Sequence, residues 1–294
     1  MFAFWSLAKQ LGRLQMKFGV WFYGLGTAIT GILDIAWHAF DASHQPIQSL
    51  GRNLRGQHIL ADVVGIWMVA AGLAVLSRRT ARAGAIASAI AYLIFVAMWL
   101  LRYYAGIHAL GWRFDVLAGV SFGVAQQVML VAAAAMLYVS LASTDSALQA
   151  RTAVAARWML GLPPLVFGVL HLIGIRVFAN IVPHWMGLGY FWAATTGIAF
   201  ILAGIAICSG IKAILAARLL ALMLLLFEGF VEIPPTFIRL GNQATWGAAV
   251  YNLSAIGACL IFAEILASRV DRRQIGSAEN PNVPGRTTYI AAAN

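Results

Sequence analysis

Apolar and polar positions alternate along this chain in long blocks, not residue by residue. Eight apolar blocks, near 18–40, 59–76, 83–105, 116–142, 158–179, 191–209, 213–233 and 246–267, run almost free of charge. About 20 apolar residues rising 1.5 Å each cross the hydrocarbon of a bilayer, so each block predicts a transmembrane helix. A membrane barrel would need strands with a two-residue rhythm and polar positions between. Stretches such as "VMLVAAAAMLYV" (128–139) lack it. The expected fold class is therefore an all-α membrane protein with eight transmembrane helices.

Composition agrees. Charged residues make up 10% of the 294, and mean hydropathy is +0.83; soluble domains carry about 25% charge. The net charge of +10 would suggest nucleic acid on a soluble domain. Here its distribution points elsewhere, and no nucleic-acid partner is expected. Of the 20 Lys and Arg, all but Arg52, Arg55, Arg102, Arg113, Arg176 and Arg239 fall at the N-terminus, in alternate loops or in the C-terminal tail. Positive loops face the cytoplasm, so both termini are expected there, in a bacterial inner membrane. Lys9, Arg13 and Lys17 interleave with apolar residues in a way a cleaved signal would not. Residues 1–17 read as an amphipathic helix on the membrane surface. Cys208 and Cys259 stand singly within apolar blocks and read as small packing residues.

The halves repeat each other. "GILDIAWHAFDASHQP" (31–46) aligns without a gap on "GVLHLIGIRVFANIVP" (168–183), and "GIWMVAAG" (65–72) on "GIAFILAG" (197–204). Trp112 and Trp246 open the fourth span of each copy. Four spans is an even number, so the second copy starts on the same side as the first. The repeats are parallel, related by an axis along the membrane normal. The expectation is two tandem parallel four-helix bundles, close-packed through small residues as in "GTAITG" (26–31). The division reads as an interfacial segment 1–17, a first repeat 18–142, a cytoplasmic linker 143–157, a second repeat 158–267 and a disordered polar tail 268–294.

Topology gathers the titratable side chains on the outer half. Asp34 lies a turn deep and His38 at the rim of the first span; His58 and Asp62 mirror them on the second. Arg102 ends the third span and Asp115 begins the fourth. His171 lies inside the fifth span and Arg176 follows it; Glu228 and Glu232 sit four apart on the seventh. Charged side chains deep in a bilayer cost about 2.5–3.5 kcal/mol on insertion scales, so they face the bundle interior and pair. Three readings of Asp34, His38, His58 and Asp62 stay open. They tie helix ends together, they form the polar end of a ligand site, or a His–Asp pair holds a metal ion. The loop spacings fit no metal-ligand motif, and no metal is expected. His171 reads either as a satisfied core histidine or as the second-copy counterpart of Asp34. The two glutamates are expected to pair with Arg176 or Arg239. Gln126, Gln127 and Asn252 read as interhelical hydrogen-bond partners, and Trp99, Trp112, Trp185 and Trp246 as an interfacial aromatic belt. No nucleophile elbow, P-loop or dinucleotide fingerprint is present; "GLGTAITG" has no strand before it.

A glycine-rich first span leads to a loop with Pro before Gly ("QPIQSLG", "VPHWMGLG"). A "GI…AG" span and an Arg-containing turn ("SRRTAR", "AARLL") follow. This order resembles the DoxX-like membrane family, over roughly 18–267 as a tandem duplication. The resemblance implies a bacterial inner-membrane protein, in some members a subunit associated with quinone-linked redox partners. It transfers no catalytic residue. Three functions follow as expectations. The first is a redox-associated subunit, with the lipid bilayer and a redox protein as partners. It would hold a quinone or other lipid-soluble molecule at Asp34, His38, His58, Asp62, Arg102 and Asp115, with His171, Arg176, Glu228 and Glu232 as the second-copy counterpart. The second is a small-molecule or proton-coupled transporter. The third is a non-catalytic scaffold.

Overall fold

A computed structural model describes residues 2–41, 56–142 and 146–279. His44, Arg52, Arg55 and residues 280–294 lie outside the described residues. Among the described residues the chain is helical and without strands. The elements are α1 (Phe2–Trp37), α2 (Gln57–Leu76), α3 (Ala81–Leu110), α4 (Phe114–Ala142) and α5 (Ser146–Ile173). Then come α6 (Ile175–Ile181), a short 3-10 turn (His184–Met186), α7 (Gly189–Ser209) and α8 (Ala213–Phe227). A π-helical turn (Glu228–Glu232), α9 (Ile233–Ile238) and α10 (Gln243–Glu279) complete the chain.

Eight stretches are long and apolar enough to cross a membrane: Phe18–Trp37, Gln57–Leu76, Ala81–Leu110, Phe114–Leu141, Ala147–Ile173, Gly189–Ser209, Ala213–Ile238 and Gln243–Val270. They coincide with the apolar blocks, and the chain reads as a multi-pass membrane protein. Helices satisfy their own backbone groups, which hydrocarbon cannot. Large apolar residues such as Ile66, Leu202 and Leu219 accordingly remain exposed on the outside of the bundle.

Three expected boundaries move. Residues 2–37 form one unbroken helix, so the segment before residue 18 runs without a break into the first span, Phe18–Trp37. Residues 146–157, read as linker, begin α5. The polar stretch 268–279, read as disordered, completes α10. At about 1.5 Å per residue, the 36 residues of α1 and the 37 of α10 exceed the thickness of hydrocarbon.

Helix pairing follows the glycines. α1 lies along α2 and α10, α5 along α4 and α7, and α4 and α10 also meet. A Cβ added at Gly31 would lie 2.3 Å from the Gly65 carbonyl oxygen; one added at Gly72 would lie 2.4 Å from that of Gly24. In the second half, a Cβ at Gly168 would lie 2.5 Å from the Gly197 oxygen, and one at Gly204 2.7 Å from the Gly161 oxygen. These are the positions the sequence repeat puts in register. The α1–α2 and α5–α7 backbones therefore touch at corresponding points, seven residues apart along each helix. α3 and α8 share a buried pattern too: Ala81, Ala85, Ser88 and Tyr92 correspond to Ala213, Ala217, Leu220 and Leu224.

One end of the bundle is where α1 stops and α2 starts, here called the Asp34 end. The Gln243 side-chain amide at the start of α10 donates to the Ala39 carbonyl there at 2.7 Å. Tyr103 and Ser121 hydroxyls join α3 to α4 at 2.7 Å. The opposite end carries most of the described arginines. There Arg218 meets the buried carboxylate of Glu264 at 2.6 Å, and the Arg269 guanidinium donates to the Gln149 carbonyl.

Candidate ligand cavity

The first-half group divides by depth. α1 ends in a Schellman arrangement: His38 N–H donates to the Ile35 carbonyl and Ala39 N–H to that of Asp34, both at 3.2 Å. His38 takes the left-handed position of this motif (φ 49°), which usually belongs to glycine. From there its Nδ1 lies 2.9 and 3.1 Å from the two oxygens of Asp62. Asp34 is wholly buried, and its Oδ1 accepts the Asp41 N–H at 2.8 Å. Among these contacts, Asp34 holds the chain as it leaves α1, and the half-exposed His38–Asp62 pair pins α1 to α2.

The other first-half candidates sit further apart. His58 is exposed. The Arg102 guanidinium lies over the Trp99 ring, 5.7 Å from its centroid. Asp115 is exposed and pairs with its neighbour Arg113 at 2.7 Å. That hydrogen bond raises the Arg113 guanidinium above its ordinary value. Among the described residues, no group of three His, Cys, Asp or Glu is placed to hold a metal ion.

A cavity of about 330 Å³ lies mainly among second-half helices and is closed by α3 and α4 of the first half. Its walls come from α4 (Phe122, Gln126, Met129), α5 (Pro164, Phe167, His171), α6 (Phe178, Ile181) and α7 (Trp192, Thr196, Phe200). α8 and the π turn add Leu220, Leu224, Phe227 and Glu232; α10 adds Tyr251 and Asn252, and Trp99 of α3 closes one side. Ile181 and Trp192, both partly exposed, are among the residues that line it. Two of the expected site residues, His171 and Glu232, line it. Asp34, His38, His58, Asp62, Arg102, Asp115, Arg176 and Glu228 do not.

The halves differ at this place. In the first half, tyrosines pack at the corresponding helix positions. The Tyr23 hydroxyl donates to the Leu130 carbonyl at 3.2 Å. Thr27 gives its proton to the Tyr23 carbonyl at 2.9 Å, so it accepts from the Tyr92 hydroxyl, also at 2.9 Å. Tyr23 and Tyr92 meet edge to face, and Phe95 packs on Tyr92. In the repeat register, Tyr23 becomes Leu160, Thr27 becomes Pro164 and Tyr92 becomes Leu224. Two rings and a hydroxyl are lost; of the three replacements, Pro164 and Leu224 line the cavity and Leu160 is packed in the core.

Within the cavity His171 is fixed from two sides. Its Nδ1 lies 2.8 Å from the Phe167 carbonyl oxygen one turn back. Its ring stacks on Phe178, with centroids 3.7 Å apart and planes 17° apart, while Phe200 lies at 5.3 Å. Glu232 is placed by the π turn. Pro234 and Pro235 have no N–H to give back to the turn before them, and the Ile233 N–H bonds to the Glu228 carbonyl five residues earlier. Glu228, a turn before, is 8% exposed, and its Oε2 has no hydrogen-bond partner. The expected ion pairs do not form among the described residues: Arg176 and Arg239 are exposed, and neither bridges to a glutamate. Arg176 lies on the short helix after the fifth span, and Arg239 caps the end of the seventh.

The sequence reading missed the aromatic wall. Gln126 and Asn252, read as links between helices, and Trp99, read as part of the interfacial belt, also line the cavity. The one signal for it was the loss of Tyr23 and Tyr92 at the matching positions of the second copy. No protein-family model, curated protein or solved structure matches the chain.

Proposed function

We propose that this protein is a DoxX-like, bacterial inner-membrane protein whose second half holds a lipid-soluble, ring-bearing molecule of the quinone class, as a redox-associated subunit. The observation that carries this reading is the cavity itself. Aromatic and aliphatic walls with a few polar groups are the usual make-up of a small-molecule site, and about 330 Å³ lies at the small end of such sites. That volume suits a head group whose tail leaves past Ile181 toward lipid. Phe167, Phe178 and Phe200 supply flat faces for a ring, and His171, Glu232, Gln126 and Asn252 supply hydrogen bonds at its edge.

The same proposal includes the architecture. Two parallel four-helix repeats are related by a pseudo-twofold axis between α4 and α10, a reading supported by the paired glycine crossings. The arginine-rich end, with both termini, faces the cytoplasm, in keeping with the bias of positive residues toward that side. The ligand then sits in the periplasmic half of the membrane.

The test uses the residue the first half employs. Leu224→Tyr should fill the cavity as Tyr92 fills the first half. Solvent extraction of purified wild-type protein, followed by mass analysis, should yield a quinone-class lipid at near-stoichiometric amount, and Leu224→Tyr should yield none. Wild-type protein that carries no such lipid, and binds none when it is added, would remove the proposal.

A further inference from the structure

A ligand in this cavity would meet His171 first at its ring nitrogens, and the protein has already committed one of them. The Nδ1 of His171 is 2.8 Å from the Phe167 carbonyl oxygen. A carbonyl oxygen only accepts, so Nδ1 carries the hydrogen. A neutral imidazole with its proton on Nδ1 has a bare lone pair on Nε2. The stack on Phe178 holds the ring in that orientation, and turning it over would break the bond to Phe167. His171 lines the cavity, and with Nδ1 committed, Nε2 is the ring nitrogen left to accept from a ligand.

One other lining group leans the same way. The Tyr251 hydroxyl gives its proton to the Met129 sulfur at 3.8 Å, leaving its oxygen to accept. The Glu232 carboxyl accepts when ionised and can also donate when protonated. Gln126, Asn252 and Thr196 can either donate or accept.

We infer that the cavity prefers the reduced, hydroxyl-bearing form of its ring ligand, a hydroquinone, over the quinone, with Nε2 of His171 accepting the hydroxyl proton in a hydrogen bond. The inference rests on the function proposed above and adds the redox form to it. A quinone carbonyl set against the Nε2 lone pair makes no bond there; a hydroquinone hydroxyl does. The difference of one buried hydrogen bond is worth about tenfold in affinity. Tighter binding of the reduced form raises the midpoint potential of the bound couple, by about 30 mV for each factor of ten in a two-electron couple.

The experiment is calorimetric titration of the full chain in detergent micelles, without oxygen, using a short-chain benzoquinone and its hydroquinone. Wild-type protein should bind the hydroquinone about tenfold more tightly. His171→Phe, which keeps a ring to stack on Phe178 but has no acceptor, should bring the two affinities together. Equal affinities in the wild type, or tighter binding of the quinone, would overturn the inference. If Leu224→Tyr still abolished binding of both forms, the cavity assignment would survive that result. A preference that persisted in His171→Phe would overturn the role of Nε2. Failure of wild-type protein to bind either form would remove the inference together with the proposed function.

Discussion

Three of the buried acids among the described residues have different surroundings. Glu264 is 6% exposed and meets Arg218 at 2.6 Å. Asp34 is wholly buried and accepts a backbone N–H. Glu228 is 8% exposed, and its Oε2 has nothing to bond to. A buried polar group without a partner costs about 1–3 kcal/mol. Replacing Glu228 by Leu is therefore expected to raise stability by about that amount, read as a higher thermal-unfolding midpoint of the purified protein in detergent. Glu264→Leu should lower it, because Arg218 would lose its partner. A lower midpoint for Glu228→Leu would show that its carboxyl is paired in the folded protein. The sequence placed Glu228 and Glu232 on one helix in the polar half, because depth follows from position along a span. It misjudged their partners, because spacing along a chain says nothing about how far Arg176 or Arg239 can reach. Nor did it distinguish the two acids, which the π turn before Pro234 and Pro235 sets apart.

Between helices, contact distance is set by what the glycines lack. Gly31 and Gly65 bring α1 against α2, and Gly168 and Gly197 bring α5 against α7, so closely that a methyl group at Gly31 would overlap a backbone oxygen. Backbone cannot yield as a flexible side chain can. Gly31→Ala is expected to force α1 from α2 and to cost about 1–3 kcal/mol or more. Gly229→Ala, in the π turn with nothing within 4 Å of the added carbon, should leave stability nearly unchanged. The pair of unfolding midpoints checks both; equal losses would mean that glycine flexibility, not close approach, is what these positions supply. These crossings were legible in advance, since matching glycines at a constant shift mark the same face in both halves. The pairing of α1 with α10 was not. Those helices come from opposite ends of the chain, and nothing in either pattern names the other. The cavity was hidden for a related reason. Its walls are single Phe, Leu and Trp residues from several helices, each indistinguishable by itself from ordinary core.

Across the whole molecule, the eight spans and the unequal sharing of charge define two ends. Arg78, between α2 and α3, and Arg113, between α3 and α4, are both exposed and lie at opposite ends. Single cysteines at these positions test the orientation proposed above. Cys208 and Cys259 are buried and should stay silent toward a membrane-impermeant maleimide. In cells with a permeable outer envelope, Arg113→Cys should react directly, and Arg78→Cys only after the inner membrane is opened. Labelling of both from one side would contradict an odd number of crossings between them.

The tyrosines of one half and the hollow of the other have a consequence for how such an interior can arise. An assembly of two identical subunits must put the same residue at both related positions, so it would be solid twice or empty twice. Joining the halves in one polypeptide lifts that constraint. Tyr92 can brace its side with hydrogen bonds while Leu224 leaves room for a guest, and a single chain offers one berth where a symmetric dimer would offer two or none.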